Sequence, residues 1–242
     1  AIGKSALTAL TSGAKNVAIG YESGKLIQTG ERNTILGHQA GIGTVDVDST
    51  VIIGNYAGAG VLTAAADGTV AIGKSALALL TSGIGNVAIG FQSLDANATS
   101  DYNTAVGHST LGAVNSDGDG FNSAVGYNAG GSITSGLYNT ILGANAGDGF
   151  DAESNNTFIG YAVGGNPGVN GAEQCVGVGS SALGGAITQD GTVAIGYNAL
   201  ASLTSATEAL AIGYNAGALL TTGNQNMAIG YNAMAQHVDG GS

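Results

Sequence analysis

The chain has 242 residues, 44 of them Gly, with a single Pro, a single Cys and no Trp. The absence of a G-X-Y triplet excludes collagen, 44% apolar content excludes a disordered chain, and no apolar run approaches the roughly 18 residues of a membrane span. Five Lys and Arg against 16 Asp and Glu give a net charge of −11, and all five (Lys4, Lys15, Lys25, Arg32, Lys74) fall in the first 74 positions. That field repels phosphate, which argues against nucleic-acid binding and against attraction to anionic membranes.

The predicted elements follow one short motif along the chain. It opens as Ala1-Ile2-Gly3, continues as NVAIGY at 16–21 and NTILGH at 33–38, and returns as NVAIGF at 86–91, TVAIGY at 192–197 and NMAIGY at 226–231. The Gly that ends each copy stands at 3, 20, 37, 54, 73, 90, 107, 126, 143, 160, 179, 196, 213 and 230, in steps of 17 or 19 residues. The longer steps, 54→73, 107→126 and 160→179, are 53 residues apart, which suggests duplication of a three-unit block. Fourteen units leave no room for a second domain, so residues 1–242 read as a single repeat domain.

Each copy predicts a short strand before its Gly. The last strand position is Ile, Leu or Val in every unit, from Ile2 and Ile19 to Ile212 and Ile229. Two residues earlier stand Val17, Val51, Val70, Val87, Val193, Leu210 and Met227, with Thr34, Thr104, Ser123, Thr140 and Thr157. Side chains alternate along a strand, so these two columns share one face. Stacked turn on turn they predict an all-β parallel β-solenoid of 14 rungs, with this face turned inward as an aliphatic ladder. Gly in every unit and β-branched runs of three or four residues argue against helices.

The column between them points to the opposite face. It includes Ala18, Ala71, Ala88, Ala105, Ala124, Ala194, Ala211 and Ala228, with Ile35, Ile52, Ile141, Phe158 and Gly177, and holds no polar residue. A solvated face would be polar. The expectation is therefore an outward face covered by another chain, with the alanines at the interface. On that expectation Ala211→Glu together with Ala228→Glu abolishes assembly.

The position before the strand is Asn at 16, 33, 86, 103, 122, 139, 156 and 226. Asn tolerates a left-handed turn, and stacked Asn side chains can bond rung to rung. The recurring N-[VTS]-[AI]-[IVL]-G-x-x-[AS] resembles the head repeat of YadA-like trimeric autotransporter adhesins, and still more the AIGYxAL arrays of phage tail fibres and large bacterial surface proteins. The resemblance covers all fourteen units. It implies a left-handed β-roll, a homotrimer packed about a threefold axis and an extracellular place on a cell surface or virion. The units here, at 17 or 19 residues, are longer than the roughly 14 of YadA-type heads, and the chain shows no coiled-coil stalk, anchor or chaperone domain.

Candidate chemistry is sparse. His38, His108 and His237 are the only histidines, and the first two occupy the varied column after Gly, so they read as surface residues. No nucleophile elbow or phosphate loop is present, and an enzyme is the least expected reading. Asp117 and Asp119, at spacing two in a long step, are the leading calcium candidates. Asp46 with Asp48, and Asp148, Asp151 and Glu153, stand in other turns. Asp-Gly is equally good turn chemistry, and no cofactor is otherwise implied.

Tyr197, Tyr214 and Tyr231 fall on consecutive rungs beside Asn198, Asn215 and Asn232, a candidate glycan contact or a self-packing ladder. A hydroxyl column (Ser12, Thr29, Thr63, Ser82, Thr99, Ser116, Ser135, Thr188, Ser205, Thr222), interrupted at Asp46, Ala152 and Val169, offers an ice-binding alternative or simple turn hydroxyls. Cys175 is alone, so no intrachain disulfide exists. It reads as a small apolar residue at a strand edge, the other reading being an interchain bridge or reactive thiol. The combined expectation is a rigid, adhesive module of an extracellular trimeric fibre that meets a cell-surface glycan or protein receptor. A head-to-tail filament is the second expectation, drawn from end rungs without polar caps, and a monomeric glycan- or ice-binding solenoid the third.

Overall fold

Three-residue strands recur at the predicted positions in a computed structural model of the chain, which describes residues 1–165, 171–205, 207–222 and 224–236. Val169 and His237 lie outside the described residues. Two compact units divide at residue 121. In the first, Ala1–Phe121, the strands are β1 (Val17–Ile19), β2 (Thr34–Leu36), β3 (Val51–Ile53), β4 (Val70–Ile72), β5 (Val87–Ile89) and β7 (Thr104–Val106), with a short side pair of β6 (Ser100–Asp101) and β8 (Gly118–Asp119). The second unit carries β9 (Ser123–Val125), β10 (Thr140–Leu142), β11 (Thr157–Ile159), β12 (Val176–Val178), β13 (Val193–Ile195), β14 (Leu210–Ile212) and β15 (Met227–Ile229). Among the described residues there is no α-helix.

Within each unit the strands pair in parallel and in register, so that Val17, Ala18 and Ile19 face Thr34, Ile35 and Leu36, and Val193, Ala194 and Ile195 face Leu210, Ala211 and Ile212. The chain is a parallel β-solenoid. Its longer 54→73 step contains the 3₁₀ turn Ala64–Ala66, so the extra residues are taken up in a turn and the strand register survives.

Left-handed residues turn the corners. One corner follows two residues after the Gly (Glu22, φ 55; Gln39, φ 54; Asn198, φ 53), a second four residues after it (Leu77, Leu94 and Leu111, all φ 50), and a third just before the Asn column (Lys15, φ 62; Arg32, φ 59; Tyr102, φ 55). The Asn residues themselves are not the left-handed ones; the residue ahead of each takes that role. The repeating Gly is demanded by stacking. Gly37 has φ 138, and a Cβ there would lie 2.6 Å from the Gly54 carbonyl oxygen one turn on. No L side chain fits between the two backbones.

The inside and outside of the strands are the reverse of the sequence expectation. Each strand buries its central residue and leaves the flanking two half-buried or exposed. Ala18, Ala71, Ala88, Ala105, Ala124, Ala194, Ala211 and Ala228 line the interior of the chain's own coil and form no outward interface. The Val/Thr and Ile/Leu columns point outward instead. Size, not polarity, decides the orientation. The coil is narrow, and a large residue from the second corner already reaches into it, so the strand supplies the small partner.

The two interior columns are matched in volume. Ala71, Ala88, Ala105, Gly177 and Ala194 precede corner residues Leu77, Leu94, Leu111, Leu183 and Leu200, all fully buried or nearly so. Ile35, Ile52, Ile141 and Phe158 precede Gly41, Gly58, Gly147 and Gly164. A Cβ on Gly58 would stand 3.2 Å from Ile52 Cδ1, and one on Gly147 3.0 Å from Ile141 Cδ1. Small meets small at Ala18 with Gly24, Ala124 with Gly130 and Ala211 with Gly217; at Gly24 the missing Cβ would meet Ile35 Cδ1 and Leu7 Cδ2 of the neighbouring turns at 3.0 Å each, and at Gly217 Leu200 Cδ2 at 2.8 Å. A left-handed Leu costs about 1–2 kcal/mol, which its full burial, at about 1.5–3 kcal/mol, offsets.

This matching makes a quantitative prediction. Ile52→Ala empties the core and should cost about 2–5 kcal/mol. Gly58→Leu alone overpacks it, at a cost of about 1–3 kcal/mol. Combined, they should cost clearly less than the sum, because the new Leu fills the new space as Leu77 does above Ala71. Urea denaturation of the three variants measures the coupling, and strict additivity would contradict the volume match.

Candidate functional site

Each unit presents one uncharged, largely aliphatic sheet face. In the first unit it carries Val17, Thr34, Val51, Val70, Val87 and Thr104 beside Ile19, Leu36, Ile53, Ile72, Ile89 and Val106. The second unit continues the pattern from Ser123 and Val125 to Met227 and Ile229. Neither column holds a charged residue in either unit. Leu142 remains 48% exposed and Ile212 37%, values unlike those of core aliphatics. This face is built by the buried Ala column, since alternation puts Val and Ile outward whenever the residue between them faces in.

A polar ladder holds the turns in register behind that face. Asn33 donates its backbone N–H to Asn16 Oδ1 (2.9 Å), and Asn33 Nδ2 donates to the Val47 carbonyl (2.7 Å). The same pair of bonds recurs at Asn86, whose Oδ1 accepts from the Asn103 N–H (2.9 Å) and whose Nδ2 donates to Ser100 O (2.7 Å). In the second unit the chain Asn122, Asn139, Asn156 repeats it at 3.0 and 2.9 Å. The expected rung-to-rung Asn bonding is present, directed at backbone as well as between amides.

Cys175 occupies this column. Its N–H donates to Asn156 Oδ1 (2.9 Å), and its thiol points at the carbonyls of Glu173 (3.4 Å) and Gln189 (3.7 Å), the latter fourteen residues on, where an Asn amide would donate. The side chain is buried, and burial pushes the thiol above its ordinary pKa.

The aromatic column sits one residue past each Gly. Tyr197, Tyr214 and Tyr231 stack at 5.1 and 5.3 Å with planes 16° and 14° apart. Tyr214 therefore has a ring over each face, and a sugar cannot stack on it; at this rung the edge and the hydroxyl are what the column offers. His38 is exposed and stacks on Tyr21 at 5.2 Å, while His108 is exposed and lies 4.9 Å from Phe91. Lys74 Nζ lies 5.7 Å over the Phe91 ring. Beside the tyrosines, Asn198, Asn215 and Asn232 line one cavity with Ala218 and Leu219.

The acidic turns are engaged with their own chain. Asp117 Oδ1 accepts from the Thr99 hydroxyl (2.8 Å), and Asp119 pairs across the β6–β8 ladder with Asp101, whose Oδ1 accepts from the Ile84 N–H (2.7 Å). Asp46 accepts from the Thr29 hydroxyl (2.7 Å) and Asp48 from the Glu31 N–H (2.7 Å). Asp148 accepts from Ser132 (3.1 Å), Asp151 from the Ala152 N–H (2.7 Å), and buried Glu153 from the N–H groups of Asp151 and Gly171 (2.8 Å each). Among the described residues no three His, Cys, Asp or Glu side chains gather around a point where a metal would sit. Part of the hydroxyl column is engaged too: Thr63 and Thr188 each donate to a carbonyl on the next turn, at 3.3 and 3.2 Å, beside the Thr29 and Thr99 bonds to Asp46 and Asp117. Among the described residues no helix is long and apolar enough to cross a membrane.

Sequence reasoning missed the apolar face because it placed those residues inside. The signal that finds it is residue size, with Ala between two larger aliphatics and Leu six residues after that Ala. No family model, curated protein or solved structure matches the chain.

Two expectations concern Cys175. Replacement by Asn should restore the amide ladder and raise stability by about 0.5–1.5 kcal/mol, read as a higher denaturation midpoint at unchanged slope. In the native protein the thiol should resist a disulfide reagent and react only on unfolding. A lowered midpoint, or rapid native labelling, would contradict these assignments. A third concerns Asp95, whose carboxyl burial raises above the usual range. A raised native pKa makes the ionised form unfavourable above it, so Asp95→Asn should stabilise at pH 7. The gain should fade as pH falls through the native pKa and vanish below the ordinary carboxylate value.

Proposed function

We propose that the chain is a structural and adhesive module of an extracellular fibre, and that three copies associate through their outward Val/Thr and Ile/Leu columns. The observation that supports this is the uncharged apolar sheet face of each unit. Soluble monomers rarely leave large contiguous apolar patches, and here the Ile/Leu/Val column stays half-buried to exposed turn after turn, with Ile19 at 41%, Val125 at 41% and Leu142 at 48%. The occupant is a second copy of the same face because a repeating surface with a fixed spacing between turns finds its best match in a surface of identical repeat. The choice of three, and the extracellular place on a cell surface or virion, rest on the resemblance of the repeat to trimeric adhesin heads and tail-fibre arrays. The reading gives the chain rigidity, reach and contact with a surface receptor, and assigns it no catalysis and no cofactor.

Light scattering after size-exclusion chromatography tests it, with an expected mass three times the 23.3 kDa of one chain. Ile195→Glu with Ile212→Glu should yield a folded monomer, since both side chains face outward. Ala211→Glu should instead unfold the coil, because it places a carboxylate in the interior at a cost of several kcal/mol. A native monomer, or an Ile-to-Glu variant that stays assembled, would overturn the reading. Material running to the void would replace it with a head-to-tail filament.

A further inference from the structure

We infer that the carboxamide groove of the second unit is a binding site for a neutral oligosaccharide. Asn198, Asn215 and Asn232 occupy the same left-handed corner on successive turns, with φ 53, 52 and 53. Their backbones are fixed alike: the N–H of Asn198 donates to Ser180 O (3.0 Å), that of Asn215 to Tyr197 O (2.8 Å) and that of Asn232 to Tyr214 O (2.9 Å). The three side chains thus form a ladder with a rise of about 4.8 Å per turn. They line a cavity of about 370 Å³ together with Gln236, over an apolar floor that includes Ala218 and Leu219.

Three features give the ligand its chemistry. None of the lining residues is charged, so the site selects neither anion nor cation. Each carboxamide carries both donor and acceptor, the combination that matches a hydroxyl. The Asn215 Oδ1 is buried and has no hydrogen-bond partner among the described residues, so no bond through that oxygen holds the carboxamide, and its rotation toward the cavity would let a ligand O–H satisfy the acceptor. The equivalent corner at Asn128 differs, because its Nδ2 donates to Asn145 Oδ1 at 3.4 Å, so those two amides are closed on each other. The exposed Leu219 supplies the apolar surface that a pyranose C–H face needs. Because the tyrosine rings cover one another, recognition runs through the amides, with the ring edges beside them. A ladder of regularly spaced groups favours a ligand that is itself a chain, so a trisaccharide binds better than its monomer.

The test is a titration of the intact protein with glucose and with neutral gluco-, manno- and galacto-configured trisaccharides, followed by the side-chain amide NMR signals of Asn198, Asn215 and Asn232. At least one trisaccharide should give saturable shifts in those signals, with glucose about fivefold weaker or more, and Asn215→Ala should lose about fivefold or more in affinity. Asn128→Ala is the matched control: it carries the same corner strain and should leave affinity unchanged. No saturable shift with any trisaccharide, shifts that spare these amides, or an Asn215→Ala affinity equal to the control's would overturn the assignment. The inference is independent of the fibre reading, since amide shifts and oligomeric mass are separate observables and either can fail alone.

Discussion

A coil whose turns take only 17 or 19 residues has an interior with space at each level for one large side chain from the strand or from the corner, but not both. That limit sets the rest of the structure. It makes Ala the commonest strand centre and, at Ala71, Ala88, Ala105 and Ala194, pairs it with a buried left-handed Leu, or it admits Ile or Phe and reduces the corner to Gly. With the small residue inside, alternation forces Val, Thr, Ile and Leu outward. The outer face is apolar as a consequence of how the inside is filled, and the proposed assembly of the molecule begins from that packing rule.

The polar groups answer a second demand. A coil with three-residue strands has long turns, and their buried N–H and C=O groups need partners. The Asn column supplies an acceptor and a donor at Asn16, Asn33, Asn86, Asn122 and Asn139, and Asp48, Asp101 and Asp190 add acceptors for the N–H groups of Glu31, Ile84 and Glu173 at 2.7–2.8 Å. Much of the acidic composition is therefore architectural. Of the carboxylates that spacing alone makes candidate calcium ligands, Asp117, Asp46 and Asp48 are bonded to neighbouring turns, and among the described residues Asp117 and Asp119 gather no third ligand.

The period was fully readable from the residues, and with it the strand positions, the parallel in-register pairing, the absence of α-helix among the described residues and the rung-to-rung Asn bonding. Orientation was not. Val-Ala-Ile is apolar at all three positions, so polarity, the usual guide to which face is buried, is silent, and only volume distinguishes Ala88 from Val87 and Ile89. The left-handed corners were half readable: Asn198, Asn215 and Asn232 are residues that favour that conformation, whereas Leu77 and Leu94 adopt it against their preference because burial rewards them. The Tyr column was placed correctly, but that its rings would close over each other depends on a 5 Å stacking that composition does not reveal.

The volume matching also solves a problem of identity among near-copies. A chain written in repeated units can fold with one turn skipped or doubled, since a strand such as Val87–Ile89 would pair with Val193–Ile195 as readily as with its proper neighbour. Backbone bonding does not tell these arrangements apart. The interior does so where turns of unlike filling would meet, because side chains reach across to the neighbouring turn: a Cβ on Gly24 would lie 3.0 Å from Ile35 Cδ1 of the next one. The order of Ile-with-Gly and Ala-with-Leu turns thus works as a set of coarse keyed teeth, penalising by a misfit in the core a slip that brings unlike turns together.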